Sequence, residues 1–476
     1  MLNLRDFIAD VERLQPDRVV HVDRPVDPAD FEVTAVLQQL EDAGRFPMTV
    51  FHRPRNLKGE ISEFPLVTNV FAERERCAIA LGLPVSDAKF PLSLEYGRRE
   101  LERIAPTLIT RDEAPVKEVV KIGDDADLRE FPIVRHHHMD PAPYIDMTPI
   151  MKDPDSGAYN AAYLRMMYKE PRKLGLHMSP RHNWQITRKY EERGLDTPVA
   201  IVVGAHPAFY LGTLNVAPFG DDDYEVIGAV AGESLRLVPS ETWGEEFLVP
   251  ADAEIVIEGI IPANVREVEG PFGEFPGTYG PQRLRWIIEV TAITHRKDAV
   301  YQDVFVGHPD DQVQGGLPKE ARIYNRIKGV VPSVTSVHLP LSGVCRLHVN
   351  IAIDKKVDGE SKQAAFIALG EVDMIKHVFV VDGDVDPFDD RQMFWAIATR
   401  VQADQDVDTI KNVKGNTLDP SQTDPIMTTK MIVDATKPVQ RPFADRILVP
   451  DEAKARVPIA EYVRETGEPV AEFEEA

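Results

Sequence analysis

Glu269-Gly270-Pro271-Phe272-Gly273-Glu274 sets two carboxylates on either side of a Gly-Pro-Phe-Gly turn. Two acids at a fixed offset can divide proton donor and proton acceptor between them. Pro271 fixes its own φ, and Gly270 and Gly273 permit backbone angles closed to other residues, so the turn can be stiff and still let a ligand approach closely. Asn160-Ala-Ala-Tyr-Leu-Arg165 brings an amide and a guanidinium, but with the apolar run Met166 to Tyr168 it reads first, on its own, as a core strand whose Arg165 pairs with a carboxylate. His177-Met-Ser-Pro-Arg-His182 adds two histidines beside an arginine, and Gly232-Glu233-Ser234 adds a carboxylate after the apolar stretch Ile227 to Ala231. An Asn, a His and a Glu together suit a divalent ion such as Mn2+ or Mg2+, with positions left open for phosphate oxygen or water. His136-His137-His138-Met-Asp140 is the most conspicuous histidine cluster. Consecutive side chains on an extended chain face opposite ways, so at most two could share an ion, and the segment reads first as a pocket edge. Taken singly, each motif has an ordinary alternative in a solvated acid or a hydrogen-bonded core histidine.

The elements that must hold these residues follow from length and pattern. A chain of 476 residues with 43% hydrophobic content calls for two to three domains. Helical spacing is expected over Leu4 to Leu14, Phe31 to Ala43, Glu73 to Leu83 and Leu92 to Ile104, with short strands at Arg18 to Val22 and Thr49 to His52. That is a small α/β domain over 1–115. Val119 to Ile122, Thr197 to Val203, Glu254 to Ile261, Arg285 to Thr294 and Ala299 to Val306 are rich in Val, Ile and aromatics, which points to a β-barrel or sandwich over 116–317. From 318 to 476 a helix at Pro318 to Lys328, strand Arg346 to Ile353, helix Ser361 to Glu371, strand Lys376 to Val381 and helix Asp390 to Val401 alternate as in a layered α/β domain. The fold class is α+β, and the Glu-rich tail beyond Pro450 reads as an exposed helix or arm.

Composition removes several functions. With 54 Lys and Arg against 78 Asp and Glu, the net charge of -24 repels phosphate backbones and anionic membranes, so no nucleic-acid or membrane partner is expected. The two cysteines, Cys77 and Cys345, have no ligand-like spacing and fit a reducing compartment. The first residues carry acids and lack a signal-peptide core, and no apolar run reaches membrane-spanning length, so a cytoplasmic protein is expected. Dinucleotide and nucleoside-triphosphate glycine loops are missing, and Ser234 lacks nucleophile-elbow spacing.

In order, Asn160 to Arg165, Pro180-Arg-His182, Gly232-Glu233-Ser234, Ala253 to Gly259 and Glu269 to Glu274 resemble the UbiD family of prenylated-flavin decarboxylases. Trp395 to Arg400, Leu418 to Gln422 and Thr428 to Thr436 extend the resemblance over nearly the whole chain. It implies a central split barrel that binds prenylated FMN with a divalent metal, usually Mn2+, and K+. Residue by residue, it implies Asn160, His182 and Glu233 as metal ligands, with Ala162, Tyr163, Leu164, Arg165 and Arg181 lining the cofactor and Lys430 at its phosphate. The catalytic trio falls on Arg165, Glu269 and Glu274: Arg165 and Glu269 orient the substrate carboxylate and Glu274 carries the proton. An arginine contact is expected to lower one acid's pKa and an apolar pocket to raise the other's. One departure stands out, Ala161 after the metal-binding Asn, where many members have an aromatic residue; Phe275 after Glu274 falls where the family borders its substrate pocket, which favours a flat acid.

The resemblance further implies reversible, non-oxidative decarboxylation of an aromatic or heteroaromatic acid with release of CO2, and a flavin prenyltransferase to supply the cofactor. Assembly through the C-terminal domain implies a homodimer or an assembly of dimers. Alternatives are an acrylic or cinnamic-type acid decarboxylase of the same family, an FMN-dependent split-barrel oxidoreductase and a non-enzymatic assembly subunit. The intact trio argues against the last.

Overall fold

The computed structural model describes residues 3–424 and 427–463. Helix Leu4–Leu14 opens the chain, capped by the Asn3 side chain accepting the Asp6 N–H, and buries Leu4, Phe7 and Val11. Strands Val19–Val22, Met48–Phe51 and Leu66–Thr68 form a sheet with Tyr301–Gln302 as its fourth strand. That last strand comes from the far side of the barrel in sequence. Of the strand expected over Ala299 to Val306, only Tyr301–Gln302 pairs. The chain then leaves the sheet at Asp303, whose buried carboxylate faces His136 and not a strand neighbour.

The centre is a closed, all-antiparallel barrel of six strands. Its order is Thr197–Val203, Ile255–Ile261, Arg283–His295, Lys173–Leu176, Leu164–Glu170 and Tyr144–Lys152, which returns to the first through Ala200↔Ile150 and Val202↔Thr148. Closure leaves no free sheet edge. Strand Thr197–Val203 is buried along almost its whole length because helices and loops cover the outside while the barrel fills its own interior. Val119–Ile122 adds to Arg283–His295 at its far end, and Glu267–Glu269 pairs with the near end of the same strand.

Helix Pro309–Lys328 starts earlier than the sequence suggests, with Pro318 inside it. Proline favours a first helical turn, which made Pro318 look like a start. Burial of Val313, Leu317, Ala321, Ile323 and Ile327 along one face holds the longer helix in spite of the missing N–H. It leads into a mixed sheet of order Val334–His338, His348–Ile353, His377–Asp382, Met427–Ala435 and Val407–Lys414, flanked by helices Glu360–Glu371 and Asp390–Arg400. Among the described residues, those up to Thr436 form one compact unit and those from Lys437 onward a second. Of the second, the described part holds short helices Asp451–Ala455 and Ile459–Tyr462, and the Glu-rich end of the tail lies outside the described residues. Among the described residues, no helix is long and apolar enough to cross a membrane.

Candidate active site

The two acids of the hexapeptide are placed by two small hairpins. Glu269 closes strand Glu267–Glu269, opposite Arg283, and Glu274 closes strand Phe272–Glu274, opposite Thr278. Gly270 between them has φ +81°, an angle that a side chain resists. Arg165 reaches both acids from strand Leu164–Glu170. Its Nε donates to Glu269 Oε1 at 2.9 Å and Nη2 to Oε2 at 3.0 Å, a two-pronged pair buried from solvent. The third nitrogen, Nη1, is in ion-pair contact with Glu274 Oε1. Phe272 supports the guanidinium from below, its ring centroid 5.0 Å from Cζ. Glu274 is therefore paired to the arginine, and not set in the apolar surrounding the sequence suggested.

His177 guards the far side of Glu269. Its Nδ1 accepts from Arg285 Nε at 3.0 Å and lies 3.9 Å from Glu269 Oε2. Burial, then the positive charges of Arg165, Arg285 and Arg283, push its pKa down to about 3. It is neutral at pH 7 and leaves Arg165 as the charged partner of Glu269.

Glu274 also faces a cavity of about 500 Å³ that His137, His138 and His308 help to wall. The His137 ring lies so close to Gly273 that a Cβ there would be 2.3 Å from its Nδ1, so only glycine fits. The ring stacks on His308, centroids 5.7 Å apart and planes at 10°, and Phe305 stacks on His308 at 3.6 Å. Asp140 ties this histidine segment to the acid turn: one oxygen accepts the His137 N–H at 2.8 Å and the other the Gly273 N–H at 3.2 Å. His138 Nδ1 is 3.1 Å from the Tyr279 hydroxyl at the rim. His136 also borders this cavity, but its side chain is buried against Asp303 and Asp146. Consecutive histidines thus point to different surroundings, as an extended chain requires.

Asn160 and His182 also come together. His182 Nδ1 is 3.1 Å from Asn160 Oδ1, and Asn160 Nδ2 donates to Asn183 Oδ1 at 2.7 Å. They line a cavity of about 620 Å³ with Ala162, Tyr163, Leu164 and Arg181. Burial and the Arg181 charge hold His182 below its ordinary pKa, which keeps the ring neutral and able to bind a metal. The carboxylate on this wall is Asp223, not Glu233. Asp223 opens helix Asp223–Ala231 and accepts the Ala161 N–H at 2.8 Å and Asn215 Nδ2 at 3.0 Å. Burial pushes its pKa up to about 7. Glu233 follows the other end of that helix, its N–H on the Gly228 carbonyl at 3.1 Å. Nine helical residues span ~13 Å, too far for both ends to share one ion. The sequence signal for Asp223 is the run Asp221-Asp222-Asp223, an acidic start to a helix. Among the described residues no three His, Cys, Asp or Glu side chains gather as a metal cage, so a divalent ion here would depend on the Asn160 amide as well.

An adjoining cavity of about 730 Å³ shares Ala162, Tyr163 and Arg181 with the first and adds Lys319, Arg322, Lys414 and Lys430. Lys430 is buried and donates to the Leu369 and Asp373 carbonyls at 3.3 and 3.2 Å. Burial, then Arg346 and Arg181, push Lys319 down to about 7. Five basic side chains line this cavity with two carboxylates, Glu371 paired to Arg322 and Asp373 to Lys414, and the excess of basic groups in a chain of net charge -24 suits an anion such as a phosphate monoester.

Three family models match the chain: the 3-octaprenyl-4-hydroxybenzoate carboxy-lyase N-terminal domain over residues 12–89, the Rift-related domain over 107–309 and the C-terminal domain over 312–435. Anhydromevalonate phosphate decarboxylase of Methanothermobacter thermautotrophicus is 36% identical over 390 residues, 81% of this chain and 88% of that protein. Phenolic acid decarboxylase of Sedimentibacter hydroxybenzoicus is 31% identical over 451 residues, 92% of each. The UbiD-class enzyme HmfF of Pelotomaculum thermopropionicum, solved with FMN, superposes with a TM-score of 0.89 at 37% identity, covering 97% of this chain and 100% of that one. An evolved dimeric form of HmfF, solved with prenylated FMN, gives 0.86 at 35% identity over the same shares.

Proposed function

Because the chain belongs to the UbiD family of prenylated-FMN decarboxylases and is a carboxy-lyase, we propose that it releases CO2 from a flat aromatic or heteroaromatic acid, reversibly at high CO2. The observation that carries this reading is one guanidinium shared by two acids. Glu269 fixes Arg165 through Nε and Nη2, which leaves Nη1 facing Glu274. A substrate carboxylate exchanges for Glu274 on Nη1, and Glu274, deprived of its cation, takes up the proton that it then delivers to the carbon losing CO2. When bound, prenylated FMN supplies the electron sink for that carbon.

The ring-walled cavity beside Glu274 supports a flat substrate, since stacked imidazole and phenyl faces favour an aromatic ring. Among the described residues no lysine or arginine lines that cavity, which argues against a phosphorylated substrate of the kind named for the Methanothermobacter relative. The test is co-expression with a flavin prenyltransferase, identification of the bound cofactor by mass spectrometry, and a screen of aryl, heteroaryl, cinnamic-type and phosphorylated acids for CO2 release and solvent-deuterium exchange. Turnover of phosphorylated acids alone would overturn the substrate class. A protein loaded with prenylated FMN that exchanges none of the acids would overturn the reaction.

The residues around the two shared cavities fit the cofactor: Asn160, His182 and Asp223 as ligands for Mn2+ or Mg2+, Arg181, Lys319 and Lys430 around the phosphate. His182→Ala and Asp223→Asn are each expected to weaken Mn2+-dependent FMN binding at least about tenfold, the usual worth of metal-site ligation, while Glu233→Gln leaves it unchanged. Metal analysis and fluorescence titration check this, and the reverse order would restore Glu233 as the ligand. Lys319, largely neutral above pH 7 in the free protein, becomes charged when an anion enters. FMN binding at pH 8 should therefore take up as much as about one proton, read as a dependence of binding enthalpy on buffer ionisation heat, and lose it in Lys319→Met. A cytoplasmic homodimer, or an assembly of dimers with K+ beside the divalent ion, completes the proposal. The exposed Phe366 and Phe394 on the C-terminal helices support such an assembly.

A further inference from the structure

Three charged side chains that the proposed chemistry does not use meet behind the ring-walled cavity. His136 Nε2 is 2.9 Å from Asp303 Oδ2, and His136 Nδ1 is 3.3 Å from Asp146 Oδ2. The three residues are 3%, 1% and 5% exposed, respectively for His136, Asp303 and Asp146. Nε2 has hydrogen-bond geometry to Asp303, the Nδ1–Asp146 approach is an ion-pair contact without it, and two carboxylates beside one imidazole favour the imidazolium. Burial opposes that charge, and Asp303 and Asp146 overcome it and hold His136 well above its ordinary pKa. Burial pushes Asp146 up to about 7 against the pull of His136. Such a cluster is costly to bury and rigid once formed, because each charge is stabilised only at the positions of the other two.

Each corner belongs to a different wall of the active site. Asp146 is the direct cross-strand partner of Arg165, on the same face of the sheet. His136 immediately precedes His137, whose ring lies against Gly273 in the acid turn. Asp303 leads into Phe305 and His308, the rings of the stack. A shift of any corner would move the arginine strand, the histidine segment or the stack relative to the others.

We propose that His136, clamped by Asp146 and Asp303, is a positioning residue that holds His137 and the Phe305–His308 stack, walls of the substrate-ring cavity, in register with the Arg165 strand. This rests on the reading that the cavity receives the substrate ring. His136 acts through its neighbours, since its own side chain is fully buried.

The test uses the full chain loaded with FMN or prenylated FMN, comparing wild type with His136→Gln and Asp303→Asn. Hydrogen exchange followed by mass spectrometry should rise at least about tenfold in peptides covering 134–141 and 270–280, with the C-terminal sheet unchanged. For the acid found in the screen, KM should rise at least about tenfold while kcat falls less than about threefold, the signature of lost ground-state placement. FMN affinity should stay within about twofold, because its cavity has other walls. Unchanged exchange in both peptides overturns the proposal, as does a uniform loss of protection across the chain or a fall in kcat that matches the rise in KM. If the wild type turns over no flat acid, the functional reading fails while the exchange measurement still decides the positioning role. Should His136→Gln not fold, Asp303→Asn, which leaves one carboxylate on the ring, decides alone.

Discussion

Glu274→Gln is expected to lower turnover by at least about a hundredfold, the usual worth of a positioned proton donor, in a protein that keeps its flavin and its melting temperature. Glutamine preserves the shape of a side chain that fits closely, since a Cβ added at Gly280 would lie 2.9 Å from Glu274 Oε1. Its amide oxygen can still face Arg165 Nη1. What is lost is the exchangeable acid proton beside the carbon that loses CO2. The cavities assigned to the cofactor lie on walls that Glu274 does not share, so flavin retention separates a chemical defect from a binding one. Solvent-deuterium exchange into the product should fall with CO2 release, because both pass through the same proton. Turnover above about a tenth of wild type would remove Glu274 as the donor, and Glu274→Asp, shorter by one methylene, should fall between the two.

The acid pair was legible in the sequence because both carboxylates and their stiff turn sit within six residues. The arginine between them was legible only through a resemblance, since Arg165 reaches Glu269 across 104 positions of chain. Half of the barrel was readable for a similar reason. Thr197–Val203, Ile255–Ile261 and Arg283–His295 carry the Val and Ile runs of buried strands. Tyr144–Lys152 hides its character behind Asp146, Thr148 and Pro149, polar or imino residues at inward or closing positions. Helix Asp223–Ala231 read as a bare apolar stretch because it is buried nearly all round, which removes the period of an amphipathic helix. The resemblance alone pointed to Glu233, and with the helix unseen nothing in the sequence set Asp223 at the His182 end and Glu233 at the other. The cationic cavity was invisible for a different reason. Its members come from Arg181, the helix Pro309–Lys328 and the last strands of the C-terminal sheet, and against a net charge of -24 no local composition announces them.

Arg165→Met should be the most damaging substitution for both stability and activity. Glu269 is fully buried, and its charge is satisfied by two hydrogen bonds from Arg165. With the guanidinium gone, the groups that remain near Glu269 are His177, 3.9 Å away and held neutral, and Arg285, whose Nε donates to His177 and which makes no ion-pair contact with Glu269. Stranding a buried carboxylate in this way costs ~3–5 kcal/mol. The sign of the pH effect follows: the penalty falls on a stranded negative charge, so the loss is largest at neutral pH and shrinks in acid. Arg165→Met combined with Glu269→Leu removes both charges and should recover most of the lost stability, since an apolar pair can replace a buried ion pair at little net cost. Activity should not return, because neither variant can hold the substrate carboxylate. Denaturant titrations at pH 5 and pH 7.5 on the two single variants and the double variant measure the coupling directly. A coupling below about 1 kcal/mol would mean that Glu269 is not held as a charge by Arg165. Recovery of turnover in the double variant would mean that the substrate carboxylate binds elsewhere, and the unequal roles of the two acids would have to be reassigned.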